Sequence, residues 1–362
     1  MKVVLAIDSF KGCITSVEAN QAAAEGVRCL HPDAEIVQVA VSDGGEGFLE
    51  AYRSAVGGEI VELTVNDPLM RPVIAKYLLN DVTAVIETAQ AIGLTLLTEE
   101  ERKPMVATSY GTGQLIADAV RRGAQHIIVG LGGSATSDAG IGMLRALIDS
   151  FARHGCWDDI KNLKHVRFTI ASDVNNPLCG ENGAAHVFAP QKGATTQEVV
   201  LLDERARLFA EVSARHFGYD CQTKEGAGAA GGLGYALMQY LNAEYRSGID
   251  LLLDAIKFDD MVSDADLIIT GEGTVDRQTL MGKLPMGILR HASAYGHRLI
   301  LLAGRVQDKE ELLHAGFADV VCINPSDISI EEAMQKTVAK RNICRTVSRF
   351  LAVHELRGSL SR

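Results

Sequence analysis

Val3-Val4-Leu5-Ala6-Ile7-Asp8, then Ser16 to Leu30, then Ile36-Val37-Gln38-Val39-Ala40-Val41, is the stretch on which the fold turns. The two apolar runs read as buried strands, and the segment between them reads as a helix that Ser16 is placed to cap. This is a β-α-β start, with Phe48 to Val56 as a further short helix. Directly behind the second run stands Asp43-Gly44-Gly45-Glu46-Gly47, a carboxylate pair on a loop almost free of side chains. Strand ends of this kind are where α/β sheets bind ligands. Glycine lets backbone N–H groups approach a phosphate, and an adjacent carboxylate offers the hard oxygen that Mg²⁺ prefers. Taken alone, the loop is equally well a turn in which Asp43 caps the next helix.

Repetition weighs against a mere turn. Gly130-Leu131-Gly132-Gly133-Ser134-Ala135-Thr136-Ser137-Asp138-Ala139-Gly140 follows Ile127-Ile128-Val129, and Gly271-Glu272-Gly273 follows Leu267-Ile268-Ile269-Thr270. Acid-bearing glycine loops behind successive strands point to phosphoryl chemistry.

The alternation of strand and helix returns near the C-terminus: Leu267 to Thr270, a helix Pro285 to Ala294, Leu299 to Ala303, a helix Lys309 to Ala315, and Val320 to Ile323. Such spacing implies a mostly parallel sheet with helices on both faces. Between the two ends lie a hairpin-like pair (Val73 to Leu79, then Thr83 to Thr88) and helices such as Gly113 to Arg122 and Val199 to Phe217. The expected fold class is therefore α/β with two dissimilar domains. A Rossmann-like parallel-sheet domain is built from both termini, residues 1–68 and 262–362, and a second α/β domain, residues 69–261, is inserted into it.

The chain has 362 residues, 47% hydrophobic and 22% charged, ample for packed cores in two domains. A formal net charge of −11 with no Lys/Arg cluster argues against a nucleic-acid partner. An anionic substrate must then be met locally, by Lys11, Lys192, Lys283 or helix N-termini. Seven cysteines without any C-x-x-C pair read as reduced packing residues of a cytoplasmic protein. No stretch has the apolar length of a membrane helix. Gly226, Gly228 and Gly231 match G-x-G-x-x-G, yet the preceding Asp220 to Glu225 is no buried strand. Close backbone approach explains these glycines better than an oxidoreductase's dinucleotide site.

The ordered set of loops resembles the bacterial glycerate kinases of the glyoxylate- and galactarate-pathway type. It comprises Asp8-Ser9-Phe10-Lys11-Gly12, Ser42-Asp43-Gly44-Gly45-Glu46-Gly47, Ser109-Tyr110-Gly111-Thr112-Gly113, Gly132-Gly133-Ser134-Ala135-Thr136, Asp173-Val174-Asn175-Asn176-Pro177-Leu178, Ala189-Pro190-Gln191-Lys192-Gly193-Ala194, Gly228-Ala229-Ala230-Gly231-Gly232 and Thr270-Gly271-Glu272-Gly273. The resemblance covers nearly the whole chain. It implies ATP-dependent phosphorylation of D-glycerate, at the 2-hydroxyl to give 2-phosphoglycerate, with Mg²⁺, in a cleft between two α/β domains. No nucleic acid or membrane partner is expected, and an oligomer is compatible with this reading. Three departures stand out: Ala139 where the family usually has glycine, Thr274 where arginine is common, and a short stretch from Leu144 to Val166. They leave open the alternative of a glycerate- or nucleotide-binding relative without kinase activity.

Phosphoryl transfer needs positioning and charge neutralisation. Lys11 is expected to meet phosphate or the glycerate carboxylate, against the bland alternative of a solvated lysine. Asp43 and Glu46 are candidates for Mg²⁺ or the substrate hydroxyls. Gly132 and Gly133 lead to Ser134, expected at a helix start where it donates to an anionic oxygen, and Asp138 is expected to hold Mg²⁺ through water. Asp173, behind Val166 to Ala171, is the first candidate for the base, against an Asx-turn before Asn175-Asn176-Pro177. Gln191 and Lys192 are placed as a phosphate clamp, with Gly231 and Gly232 also set against the ligand. Glu272 and Asp276 are the alternative metal or base pair. The ten histidines show no ligand spacing.

Overall fold

The computed structural model describes residues 1–42, 47–277, 279–281 and 284–359. The chain forms two compact units, Met1–Ser42 with Leu252–Arg362, and Asp43–Leu251.

The first unit is built on five parallel strands: β1 (Lys2–Ile7), β2 (Glu35–Gln38), β9 (Leu267–Val275), β10 (Leu299–Val306) and β11 (Asp319–Cys322), in the order β11-β10-β9-β1-β2. Val3, Leu5 and Ile7 of β1 are fully buried beside Ile269 and Leu302, as strands covered on both faces must be. The first helix, Ser16–Arg28, is capped not by Ser16 but by Thr15, whose hydroxyl accepts from the Glu18 amide at 3.2 Å while Glu18 returns a bond to the Thr15 amide. Ser16 is drawn inward instead, donating to Ile7 O at 2.6 Å and accepting from the Val41 amide at 3.0 Å. This helix packs against Lys336–Ser359. A Cβ on Gly26 would lie 2.5 Å from Cys344 O, so only glycine permits the approach.

The second unit carries six strands in the order β3-β4-β5-β6-β7-β8: β3 (Glu59–Asn66), β4 (Pro72–Asn80), β5 (Thr83–Glu87), β6 (His126–Gly130), β7 (Arg167–Ala171) and β8 (Glu244–Arg246). The β3-β4-β5 part is antiparallel and the β5-to-β8 part is parallel. The α/β class with two dissimilar sheets is thus the observed architecture. The segment from Glu59 to Asn66 pairs with β4 along its whole length, and residues 43–68 accordingly cluster with the inserted unit, residues 252–261 with the terminal one. β8 has three residues and no apolar run, so its strand state comes from pairing with β7 alone.

Candidate functional site

In the second unit, Glu87, Gly130, Ala171 and Arg246 stand side by side in register at the carboxyl ends of β5, β6, β7 and β8. Glu87 is only 3% exposed, and the Leu49 amide donates to its Oε2 at 3.3 Å. It was not among the sequence candidates, because a terminal acid on an apolar strand reads as part of the strand. Its signal was the Glu87-Thr88 pair itself, an acid directly behind Val85-Ile86. Thr88 closes the strand end, its amide and hydroxyl both donating to Gly130 O, at 3.0 and 2.9 Å.

The loop after β6 is held from several sides. Leu94 N donates to Gly133 O at 2.9 Å and Ala135 N to Ile92 O at 2.8 Å, while Gly133 takes a φ of +71°, which glycine adopts without strain. Ser134 does not start a helix: the next one is Ile141–Phe151, because the intervening residues are spent on hydrogen bonds across the loop. Instead Ser134 Oγ accepts from Lys192 Nζ at 3.1 Å, and the same ammonium donates to Thr136 O at 2.7 Å. Lys192 is 4% exposed, and burial lowers its pKa from 10.5 to about 8, partly opposed by the charge of Asp138. It braces the loop from inside, while its neighbour Gln191 is exposed.

Asp138 is engaged by four donors: Ser109 N and Oγ at 2.8 and 2.9 Å, Gly142 N at 3.0 Å and Gly140 N at 3.1 Å. It ties the N-terminus of Ile141–Phe151 to that of Tyr110–Arg121, supplying the orphan amides with an acceptor. Gly231 and Gly232, with Ala230, form three successive left-handed residues at φ +67°, +89° and +51°. A Cβ on Gly231 would meet Thr136 O at 2.0 Å, and one on Gly232 would meet Ala139 Cα at 2.8 Å. Gly231 O accepts from the Ala139 amide at 3.0 Å, so these glycines shape the loop from outside. Gly228 lies equally close to Pro177 O, where a Cβ would stand at 2.3 Å, in keeping with close packing rather than a dinucleotide turn.

Asp173 lies half-buried two residues beyond β7. Its loop is anchored by Tyr245, whose hydroxyl donates to Val174 O at 3.1 Å and Asn175 Oδ1 at 3.0 Å. Burial, with the nearby Asp173 charge, raises the Tyr245 phenol well above its ordinary value.

In the first unit, Ile7, Gly271 and Leu302 share a register row, so Asp8 follows directly on the end of β1, whereas Gly271-Glu272-Gly273 is no loop but part of β9, with Glu272 paired to Ala303 of β10. Asp8 is 5% exposed; its amide donates to Gly271 O at 2.8 Å and its Oδ1 accepts from Ser9 N at 2.7 Å. Lys11 is exposed in the turn between Phe10 and Ile14. Glu272 and Asp276 converge on the buried Thr279, whose hydroxyl donates to Glu272 Oε1 at 2.7 Å and accepts from the Asp276 amide at 3.2 Å. Asp43, Glu46 and Lys283 lie outside the described residues. Among the described residues no group of three or more His, Cys, Asp and Glu side chains converges as a metal site. Mg²⁺ held by one or two carboxylates and substrate phosphates needs no such group.

The glycerate kinase family model matches residues 3–355. A glycerate kinase of Bacillus subtilis (strain 168) is 39% identical over 356 residues, 92% of this chain and 93% of that protein. A glycerate 2-kinase of Escherichia coli (strain K12) is 40% identical over 366 residues, 95% of this chain and 96% of that protein. A crystal structure from Salmonella typhimurium LT2, assigned as a glycerate kinase 2, has a TM-score of 0.82 at 36% identity and covers 99% of both chains. With loops at the carboxyl ends of both sheets and relatives matched end to end, the chain is a kinase and belongs to the glycerate kinase family.

Proposed function

We propose that the protein transfers the γ-phosphoryl group of ATP to the 2-hydroxyl of D-glycerate, with Mg²⁺, in the cytoplasm. The observation that carries this reading is the Gly130–Gly140 loop at a parallel strand end, braced internally by Lys192 and saturated at Asp138. Such a loop presents Gly132, Gly133 and Ser134 in a fixed shape, and fixed donors stabilise transferring phosphate without reorganising during the reaction. Ser134 Oγ, already accepting from Lys192, keeps its own hydrogen to donate to an anionic oxygen.

Asp173 takes the proton as the substrate hydroxyl oxygen bonds to the γ-phosphorus and the bond to the ADP oxygen breaks. Lys11, exposed on its turn, meets the glycerate carboxylate or a phosphate. Mg²⁺, when bound, neutralises charge on the phosphate oxygens. Glu272, oriented by Thr279, is the first unit's candidate to hold it. Asp138, with its oxygens on backbone amides and Ser109, would reach the ion only through water.

The test is a coupled assay of ATP consumption with D-glycerate, with and without Mg²⁺, followed by the ³¹P spectrum of the product. Mg²⁺-dependent formation of 2-phosphoglycerate is expected. A 3-phosphoglycerate product would overturn the regiochemistry, and no turnover on any small hydroxy acid would overturn the whole reading.

A further inference from the structure

The second unit contains a cavity of about 650 Å³ that none of these roles uses. It opens beside the same loop, against Ser137, Asp138 and Ala139, and reaches the first turn of Ile141–Phe151. Its walls are mostly apolar, from Met105, Ile141, Leu202 and Ala206 among others. That volume and character match a small-molecule site, which is commonly ~300–1,000 Å³ and apolar with a few polar groups.

Two further observations narrow the ligand. Ser137, which lines the cavity, is 9% exposed, and its Oγ is buried without a hydrogen-bond partner. A buried hydroxyl without a partner is rare in folded proteins and calls for an explanation. The charges lining the cavity balance, Arg145 and Arg205 against Asp138 and Asp149, and Arg145 pairs with Asp149 at 3.0 Å. A balanced, apolar cavity gives no net attraction to a polyphosphate and suits the uncharged part of a molecule. A hydroxyl that both donates and accepts matches the edge of a heteroaromatic base.

We infer that this cavity seats the base and ribose of the nucleotide, with the phosphates running from it along the loop toward Ser134. The inference rests on the proposed use of ATP. Ile141 is 46% exposed and begins its helix, where an acidic residue is favourable, so Ile141→Glu leaves the fold intact while placing a charge in the mouth. Ala206→Phe fills the interior. Steady-state kinetics on the full chain are expected to show the KM for ATP raised at least ~10-fold in Ile141→Glu and in Ala206→Phe, with the KM for D-glycerate within about twofold. Calorimetry with ADP should show the same loss of affinity. An unchanged KM for ATP in Ile141→Glu, in a protein that does consume ATP, overturns the inference. So does a dimer, seen by sedimentation, that Ile141→Glu splits without changing that KM. Failure of the wild-type chain to use ATP would instead strike the proposed reaction.

Discussion

Lys192 shows how a single residue's surroundings set its chemistry. Its ammonium is held at 4% exposure by two neutral acceptors, and its pKa falls from 10.5 to about 8 because burial penalises the charge. A folded-state pKa below the unfolded one means that the native state binds fewer protons between these values. The penalty is therefore fully present below pH 8 and is relieved as pH rises from about 8 toward 10.5, by on the order of 3 kcal/mol at ~1.4 kcal/mol per unit. Urea denaturation of the wild type and Lys192→Met across that range should show the wild type gaining stability relative to the variant with rising pH; parallel curves would contradict the buried charge. Ala139 is strained in a different way, at φ +53° where a side chain is disfavoured. Ala139→Gly should raise stability by up to ~1 kcal/mol, since relief of strain exceeds the added unfolded-state entropy. A lower melting temperature for the variant would show that the buried methyl matters more. Asp173→Asn should reduce turnover at least ~100-fold, the usual scale of a general base, with little change in the KM for ATP. Near-normal turnover would pass the role to Asp276.

At the scale of elements, the loop after β6 and the start of Ala229–Leu241 form one packed piece, because three left-handed residues bring their backbones into contact. Gly231→Ala must displace Thr136 O from 2.0 Å and adopt a φ of +67°. It should cost at least ~2 kcal/mol, combining backbone strain with overpacking, and should speed amide exchange of Ala135 and Ala139, whose hydrogen bonds hold the loop. Unaltered exchange there would mean that the two elements do not act together. Thr195 offers a contrast, since its capping box with Glu198 serves only the helix Thr196–Phe217. Thr195→Ala should cost ~1 kcal/mol without touching turnover. Most elements were legible from pattern, including the β-α-β start, the hairpin-like pair and the strand-helix alternation of the C-terminal segment. β8 was not, because a three-residue strand is defined by its partner rather than by its own composition. The cap at Thr15 was misplaced by one residue, as Ser16 found buried partners that only the tertiary fold supplies.

For the whole molecule, the cysteines read as reduced packing residues are all free thiols in the structure. Cys29, Cys156 and Cys322 are exposed, Cys13 and Cys221 are buried, and burial pushes the Cys179 thiol up to about 12. A thiol reagent at pH 8 should therefore label the exposed three quickly and Cys13, Cys221 and Cys179 only on unfolding, as mass spectrometry of peptides would show. Among the described residues no helix is long and apolar enough to cross a membrane. What the sequence alone determined is the α/β class, the acid-bearing glycine loop after β6 and the family that the ordered motifs resemble, because strand runs, glycine turns and motif order are properties of neighbouring residues; Gly271-Glu272-Gly273, read as a loop, continues β9 because β10 pairs with it. What only the tertiary structure decided is the work of each side chain. Ser134 and Thr136 meet Lys192 from 58 and 56 positions away, and Ser109 meets Asp138 from 29. Those contacts make Lys192 a brace and Asp138 a helix cap, which chain order does not show, since desolvation and hydrogen-bond satisfaction depend on whatever packs around a group, however distant in the chain.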